Sequence, residues 1–224
     1  MAIVLSLETS TTVTSAALHE NGKLLVGREL HLKQAAAAQL TVLIDQLFTS
    51  SGIGRTQLDA VAVSGGPGSY TGLRIGTATA KGICYSLDRP LIALDSLHVL
   101  ASSIPLQYDG RLLCPMIDAR RMEVYCCLLS ESLDIIEESH PKVIDENSFV
   151  DRLRTQHISF FGNGSAKSQT VIRHPHAIFV DDAYPNAEAM GTLAFRKFES
   201  GQFADVRAFE PAYLKEFVAK TKKT

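Results

Sequence analysis

Ser64-Gly65-Gly66-Pro67-Gly68-Ser69-Tyr70-Thr71-Gly72-Leu73-Arg74-Ile75-Gly76 is the stretch on which the reading of the fold turns. It follows an apolar run, Ala60-Val61-Ala62-Val63, and opens a helix expected over 71–87. A second apolar run, 91–94, comes after that helix. Strand, helix and strand at this length make a right-handed crossover, so the two strands are expected to be parallel. Glycines around Pro67 let the backbone turn where a side chain would clash. Ser69 or Thr71 can cap the helix, whose free N–H groups and dipole favour an anion. Phosphate binding is therefore physically allowed here. It is not specified, because neither Gly-x-x-x-x-Gly-Lys-Ser/Thr nor Gly-x-Gly-x-x-Gly is present.

Upstream, the chain reads as an antiparallel meander. Strands are expected over 3–7, 13–18 and 24–30, with Glu8-Thr9-Ser10 in the first turn and Asn21-Gly22 in the second. Asn-Gly tolerates positive φ at both positions and is a strong hairpin signal. A helix follows, with Leu40, Leu43, Ile44, Leu47 and Phe48 on one stripe and the run Ala35-Ala36-Ala37-Ala38 at its start. Ser51-Gly52 ends it.

Downstream the pattern starts again. A strand over 112–117 ends in Asp118-Ala119-Arg120-Arg121, and another runs over 122–129. Apolar strand, acidic residue, polar turn and second strand repeat the opening of the chain, which points to an internal duplication. A short helix is expected over 148–154, a strand over 158–161, a turn at Gly162-Asn163-Gly164, and a helix over 187–200 closed by Gly201. The best boundary between halves is 102–110, giving expected units 1–104, 105–206 and a segment 207–224 that packs back on the first.

Helix 71–87 carries a further message. Gly72, Gly76 and Ala80 lie four apart, and glycine inside a helix costs about 1 kcal/mol against alanine. Close approach by another backbone offsets that cost. Two neighbours fit: the helix's own sheet, or a helix of another chain.

The 224 residues are 46% hydrophobic with a formal net charge of −2, so any nucleic-acid contact has to be local. The four cysteines, Cys84, Cys114, Cys126 and Cys127, form no Cys-x-x-Cys pair and read as core thiols. No apolar run is long enough to span a bilayer and the first residues lack a signal-type core, so a cytoplasmic location is expected. The seven histidines contain no His-x-x-x-His pair; only His174-Pro175-His176 is close-set, without an acidic or cysteine neighbour.

The stretch Gly66–Gly76 resembles the signature of the bacterial TsaB (YeaZ) family. Leu7-Glu8-Thr9-Ser10, Ile117-Asp118-Ala119-Arg120, Glu123-Val124-Tyr125 and Pro211-x-Tyr213-Leu214 match the family's flanking pattern. The resemblance implies an α/β fold of the actin/sugar-kinase-like (ASKHA) type, with two duplicated lobes of mixed sheet flanked by helices. It also implies a non-catalytic scaffold in the synthesis of N6-threonylcarbamoyladenosine (t6A) at tRNA position 37. The expected partners are the catalytic paralogue TsaD and the ATPase TsaE, with a second copy of the chain as an alternative; tRNA is met indirectly or within the complex.

On this reading the chain has no catalytic residues, cofactor or metal. Its partner-binding residues are Leu40, Leu43, Leu47, Tyr70, Gly72, Leu73, Gly76 and Ala80. The family usually carries a polar stretch where this chain has Ala35–Ala38, which touches fine contacts from that turn. Two other readings are kept. An ATP-binding ASKHA enzyme would need phosphate-loop glycine that Glu8-Thr9-Ser10-Thr11 lacks. A glycoprotease-like peptidase would need Ser69, Ser64 or a cysteine beside a histidine base and an acidic orienter. A basic tail, Lys215, Lys220, Lys222 and Lys223, reads as a solvated end.

Overall fold

The computed structural model describes residues 1–32, 36–105 and 109–214. Ala35 and the lysines of the basic tail lie outside them. Two five-stranded mixed sheets form the frame. The first is built from β1 (Ile3–Glu8), β2 (Thr14–Glu20), β3 (Lys23–Leu30), β4 (Ala60–Ser64) and β5 (Leu91–Leu94), in the order β3-β2-β1-β4-β5. The expected meander is present: β1–β2 and β2–β3 are antiparallel, with Asn21 and Gly22 at φ 48° and 78° in the tight turn. The expected crossover is present too, since β4 pairs parallel with both β1 and β5.

The second sheet contains β6 (Leu112–Asp118), β7 (Glu123–Leu129), β8 (Ile135–Val143), β9 (Ile158–Phe161) and β10 (Ala177–Val180), in the order β10-β9-β6-β7-β8. Read from β8, this is the first sheet's order and the first sheet's pairing directions. The duplication read from two acidic turns therefore extends over ten strands.

Alternation along the strands decides what each face receives. Ile3, Leu5, Leu7, Leu18, Val61 and Val63 face α1 (Ala36–Ser51) and α2 (Tyr70–Leu87), whose Leu40, Leu43, Leu47, Ala80 and Cys84 complete that core. The opposite face carries small residues, Ala17, Ala60 and Ala62, against Ala187, Met190 and Ala194. The last of these belongs to α6 (Gly191–Glu199). Between the sheets lies α3 (Ser96–Ser102). Its Val99 joins the first sheet's core, while Leu97, Leu100 and Ala101 join Leu113, Ile117, Cys127 and Phe161 of the second.

Several elements differ from expectation. The helix expected over 148–154 contracts to α4 (Val150–Leu153), because Phe149 takes φ 64° at its start. The helix expected over 187–200 is a 3-10 turn, Glu188–Met190, followed by α6; Gly201 closes it at φ 66°. Among the described α-helices and strands, four have no counterpart in the sequence expectations: α3, β8, α5 (Ser165–Gln169) and β10. β8 is an edge strand containing Pro141 and two glutamates, so it lacks the apolar alternation that marks a strand. The others are 4 to 7 residues long, too short for periodicity to show.

After α6 the chain returns to the first sheet. Ala204 N–H donates to Leu91 O at 2.8 Å, and Ala212 N–H donates to Gly65 O at 2.7 Å. All four cysteines are buried and free.

Candidate functional site

The glycine-rich loop is seated on the first turn of the chain. Ser69 N–H donates to Ser10 O at 2.6 Å, and Thr9 Oγ1 donates to Gly72 O at 2.8 Å. A Cβ at Gly68 would overlap Ser10 O, one at Gly72 would overlap Thr9 O, and one at Gly76 would overlap Thr9 Oγ1. The close approach for which these glycines are needed is thus met inside the chain, by Thr9 and Ser10. Of the two neighbours the sequence left open, the helix's own sheet is the one in contact here.

Ser69 caps α2, its Oγ accepting from Gly72 N–H at 3.3 Å. That hydroxyl serves the backbone of its own helix. Beneath the loop, Glu8 is wholly buried. Its Oε1 accepts from Ser10 N–H at 2.5 Å and its Oε2 from the Ser64 hydroxyl. Burial pushes the carboxyl above its ordinary value of 4.5, and the bonds from Ser10 and Ser64 pull the other way.

The chain's end closes the loop from outside. Tyr213 lies 5.0 Å from Tyr70, centroid to centroid, and its hydroxyl accepts from Arg74 Nε at 3.2 Å. The Arg74 guanidinium sits 4.2 Å over the Tyr70 ring. Two turns on, Lys81 Nζ donates to the carbonyls of Arg207 and Phe209 at 3.0 and 3.1 Å. None of the pairs that reach residues 207–213 was legible beforehand. The contacts made by residues 207–213 span 126 to 143 residues, which leaves no local signal.

The eight residues expected to bind a partner fall into two groups. Leu40, Leu43, Leu47, Gly72, Leu73, Gly76 and Ala80 are buried in the chain's own packing, and Tyr70 is half-buried under Tyr213. What α2 presents to solvent is the next row round: Ala78, Gly82 and Tyr85, the last 77% exposed. A Cβ at Gly82 meets no heavy atom within 4 Å. On α1 the exposed side carries Ala37, Ala38, Gln39, Thr41 and Val42 and, further on, the polar Asp45, Gln46, Thr49 and Ser50. On α2 the small residues Ala78 and Gly82 leave room for another backbone to come close, whereas the exposed side of α1 is mostly polar.

The second lobe's turn is built differently. Asp118 N–H donates to Asn163 Oδ1 at 2.8 Å, and the Asp118 carboxylate pairs with Lys167 Nζ of α5. Gly162-Asn163-Gly164 is the expected turn, with Gly162 at φ 97°. The small cavity between the lobes is lined by Thr11, Thr12, Leu100, Ile117, Asn163, Tyr184 and Pro185. Among the described residues no group of three or more His, Cys, Asp or Glu could hold a metal ion, and His174 and His176 pack on one another at 5.3 Å. Among them also, no helix is long and apolar enough to cross a membrane.

Two sheets of one order, joined by a shared helix, define a duplicated actin/sugar-kinase-like protein whose first turn is covered by its own glycine-rich loop. Residues 31–223 match the family described as tRNA N6-adenosine threonylcarbamoyltransferase, TsaD. The chain is 28% identical to the tRNA threonylcarbamoyladenosine biosynthesis protein TsaB of Haemophilus influenzae, over 96% of this chain and 94% of that one. It is 28% identical to the TsaB of Bacillus subtilis, over 98% and 96%. The solved structure of YeaZ from Pseudomonas aeruginosa superposes with a TM-score of 0.83 at 25% identity, covering 96% of this chain and all of that one. The chain belongs to the TsaD family of threonylcarbamoyladenosine proteins, and within it to the TsaB (YeaZ) group.

Proposed function

We propose that this chain is a non-catalytic scaffold of the assembly that makes t6A in tRNA, pairing with a TsaD-type threonylcarbamoyltransferase and joined by TsaE. The carrying observation is likeness along nearly the whole chain to proteins named for that biosynthesis. A cytoplasmic location belongs to the same reading. The division into lobes 1–104 and 105–206 with a returning segment 207–224 is part of it as well.

The geometry supports a scaffolding role for the first lobe. The first turn, Glu8-Thr9-Ser10-Thr11, lacks the phosphate-loop glycine, and here the glycine-rich loop packs on its Thr9 and Ser10. Within the proposal, Leu40, Leu43, Leu47, Gly72, Leu73, Gly76 and Ala80 hold α1 and α2 in place from beneath. Tyr70 fixes the start of α2, and Ala78, Gly82 and Tyr85 meet the partner. TsaD is the proposed occupant; a second copy of the chain is the alternative.

Reconstitution tests the reading. With the threonylcarbamoyl-adenylate donor and tRNA supplied, this chain alone is expected to yield no modified nucleoside. TsaD and TsaE with it are expected to yield product well above the level without it. Product formed by this chain alone, or an equal yield with and without it, would contradict the proposal.

A further inference from the structure

The hairpin between β6 and β7 contains two consecutive arginines at positive φ, Arg120 at 69° and Arg121 at 50°. Such positions ordinarily carry Gly, Asn or Asp, because a Cβ there meets the backbone. Here the conformation is held from behind. Arg120 N–H donates to Asp118 Oδ1 at 2.9 Å, and Glu123 N–H closes the turn on Arg120 O at 3.2 Å. The Lys167 ammonium bonds the Asp118 carboxylate and donates to Arg121 O at 2.8 Å. The Asp118 carboxylate is therefore already paired with a lysine.

Both arginine side chains are exposed, and among the described residues neither guanidinium has an ion-pair or hydrogen-bond partner. Nothing in the chain's own packing explains why arginine stands at either position. Two unpaired forks on a fixed turn form a local cationic site on a molecule of net charge −2. Guanidinium matches phosphate oxygens in pairs, which an ammonium does not. The turn also borders the space between the lobes, since Ile117 and Asn163 beside it line the interlobe cavity.

We propose that Arg120 and Arg121 contact the phosphate backbone of RNA, the tRNA that the assembly modifies; this rests on the proposed function. Binding of fluorescent tRNA to the full chain assembled with TsaD, followed as a function of salt, tests it. Arg120→Glu with Arg121→Glu is expected to weaken binding roughly ten-fold. The same pair is expected to lower the slope of log K against log salt by about 0.7 to 0.9 for each phosphate no longer neutralised. Arg120→Gly with Arg121→Gly guards against misfolding. It removes the left-handed arginines, so thermal stability should hold or rise while tRNA binding still falls.

Wild-type affinity and salt slope in both variants would overturn the proposal. So would weaker binding of TsaD at unchanged tRNA affinity, which would mark the turn as a site for an acidic protein surface. A wild-type assembly that binds no tRNA would overturn both this proposal and the function beneath it, and that result is distinct from a failure of the variants alone.

Discussion

The two acidic turns of the molecule occupy equivalent places in equivalent sheets and have opposite fates. Glu8, at the end of β1, is sealed under the glycine-rich loop with its oxygens bonded to Ser10 and Ser64. Asp118, at the end of β6, is 46% exposed and paired with Lys167. The helical connection leaving the fourth strand of each sheet makes the difference. Between β4 and β5 runs an 18-residue helix with glycines where it meets Thr9; between β9 and β10 runs a helix of five residues. A long helix that packs down buries its turn, and a short one leaves its turn in water. One ladder of strands therefore yields a rigid platform in the first lobe and an open, charged turn in the second.

The largest effect is expected from breaking the close approach in the first turn. Gly76→Leu would drive a side chain into Thr9, at a cost of about 3 kcal/mol, or roughly 10 °C in melting temperature for a chain of this size. A calorimetric melt checks it; an unchanged melting temperature would show that the loop is not held as described. An intermediate effect is expected from Glu8→Gln. The folded carboxyl titrates above its ordinary 4.5, so the native state holds its proton longer than the unfolded chain does. Wild-type stability should then fall as pH rises above about 4.5, by at most about 1.4 kcal/mol per pH unit from this group, until the folded carboxyl ionises. Glutamine keeps both partners and removes the titration, so denaturant midpoints from about pH 4 to 8 should vary less in the variant. The smallest effect belongs to the second turn. Lys167→Ala removes a partly exposed ion pair and the ammonium's bonds to the carbonyls of Arg121 and Glu123, and should cost about 1 to 2 kcal/mol; a loss as large as that of Gly76→Leu would erase the contrast between the lobes.

Much of the frame was legible because it is written locally. Asn21-Gly22 marked its hairpin, the stripe Leu40–Phe48 marked α1, and the apolar runs on either side of α2 marked a parallel pair. The duplication showed only at Glu8 and Asp118, since β8 carries no apolar alternation and β10, four residues long, is too short to announce itself. The site was half legible. Gly72, Gly76 and Ala80 announced that something comes close to α2, and spacing alone could not say that it is Thr9, 63 residues earlier. The same stripe drew attention to the buried side of the helix, whereas Ala78, Gly82 and Tyr85 stand on the exposed side. The Tyr70–Arg74–Tyr213 contact ties the described chain's last residues to the start of α2 and had no local signature at all.

Gly82 is a position at which the chain's own fold and the proposed docking separate, because a Cβ there meets no heavy atom within 4 Å. The decisive measurement is the native mass of this chain mixed with TsaD, taken for the wild type and for Gly82→Leu with their melting temperatures alongside. The expected result is a mixed assembly with the wild type, a melting temperature within a few degrees for the variant, and separate subunits when the variant is mixed. A Gly82→Leu chain that forms the mixed assembly as readily as the wild type would contradict docking through the outer row of α2.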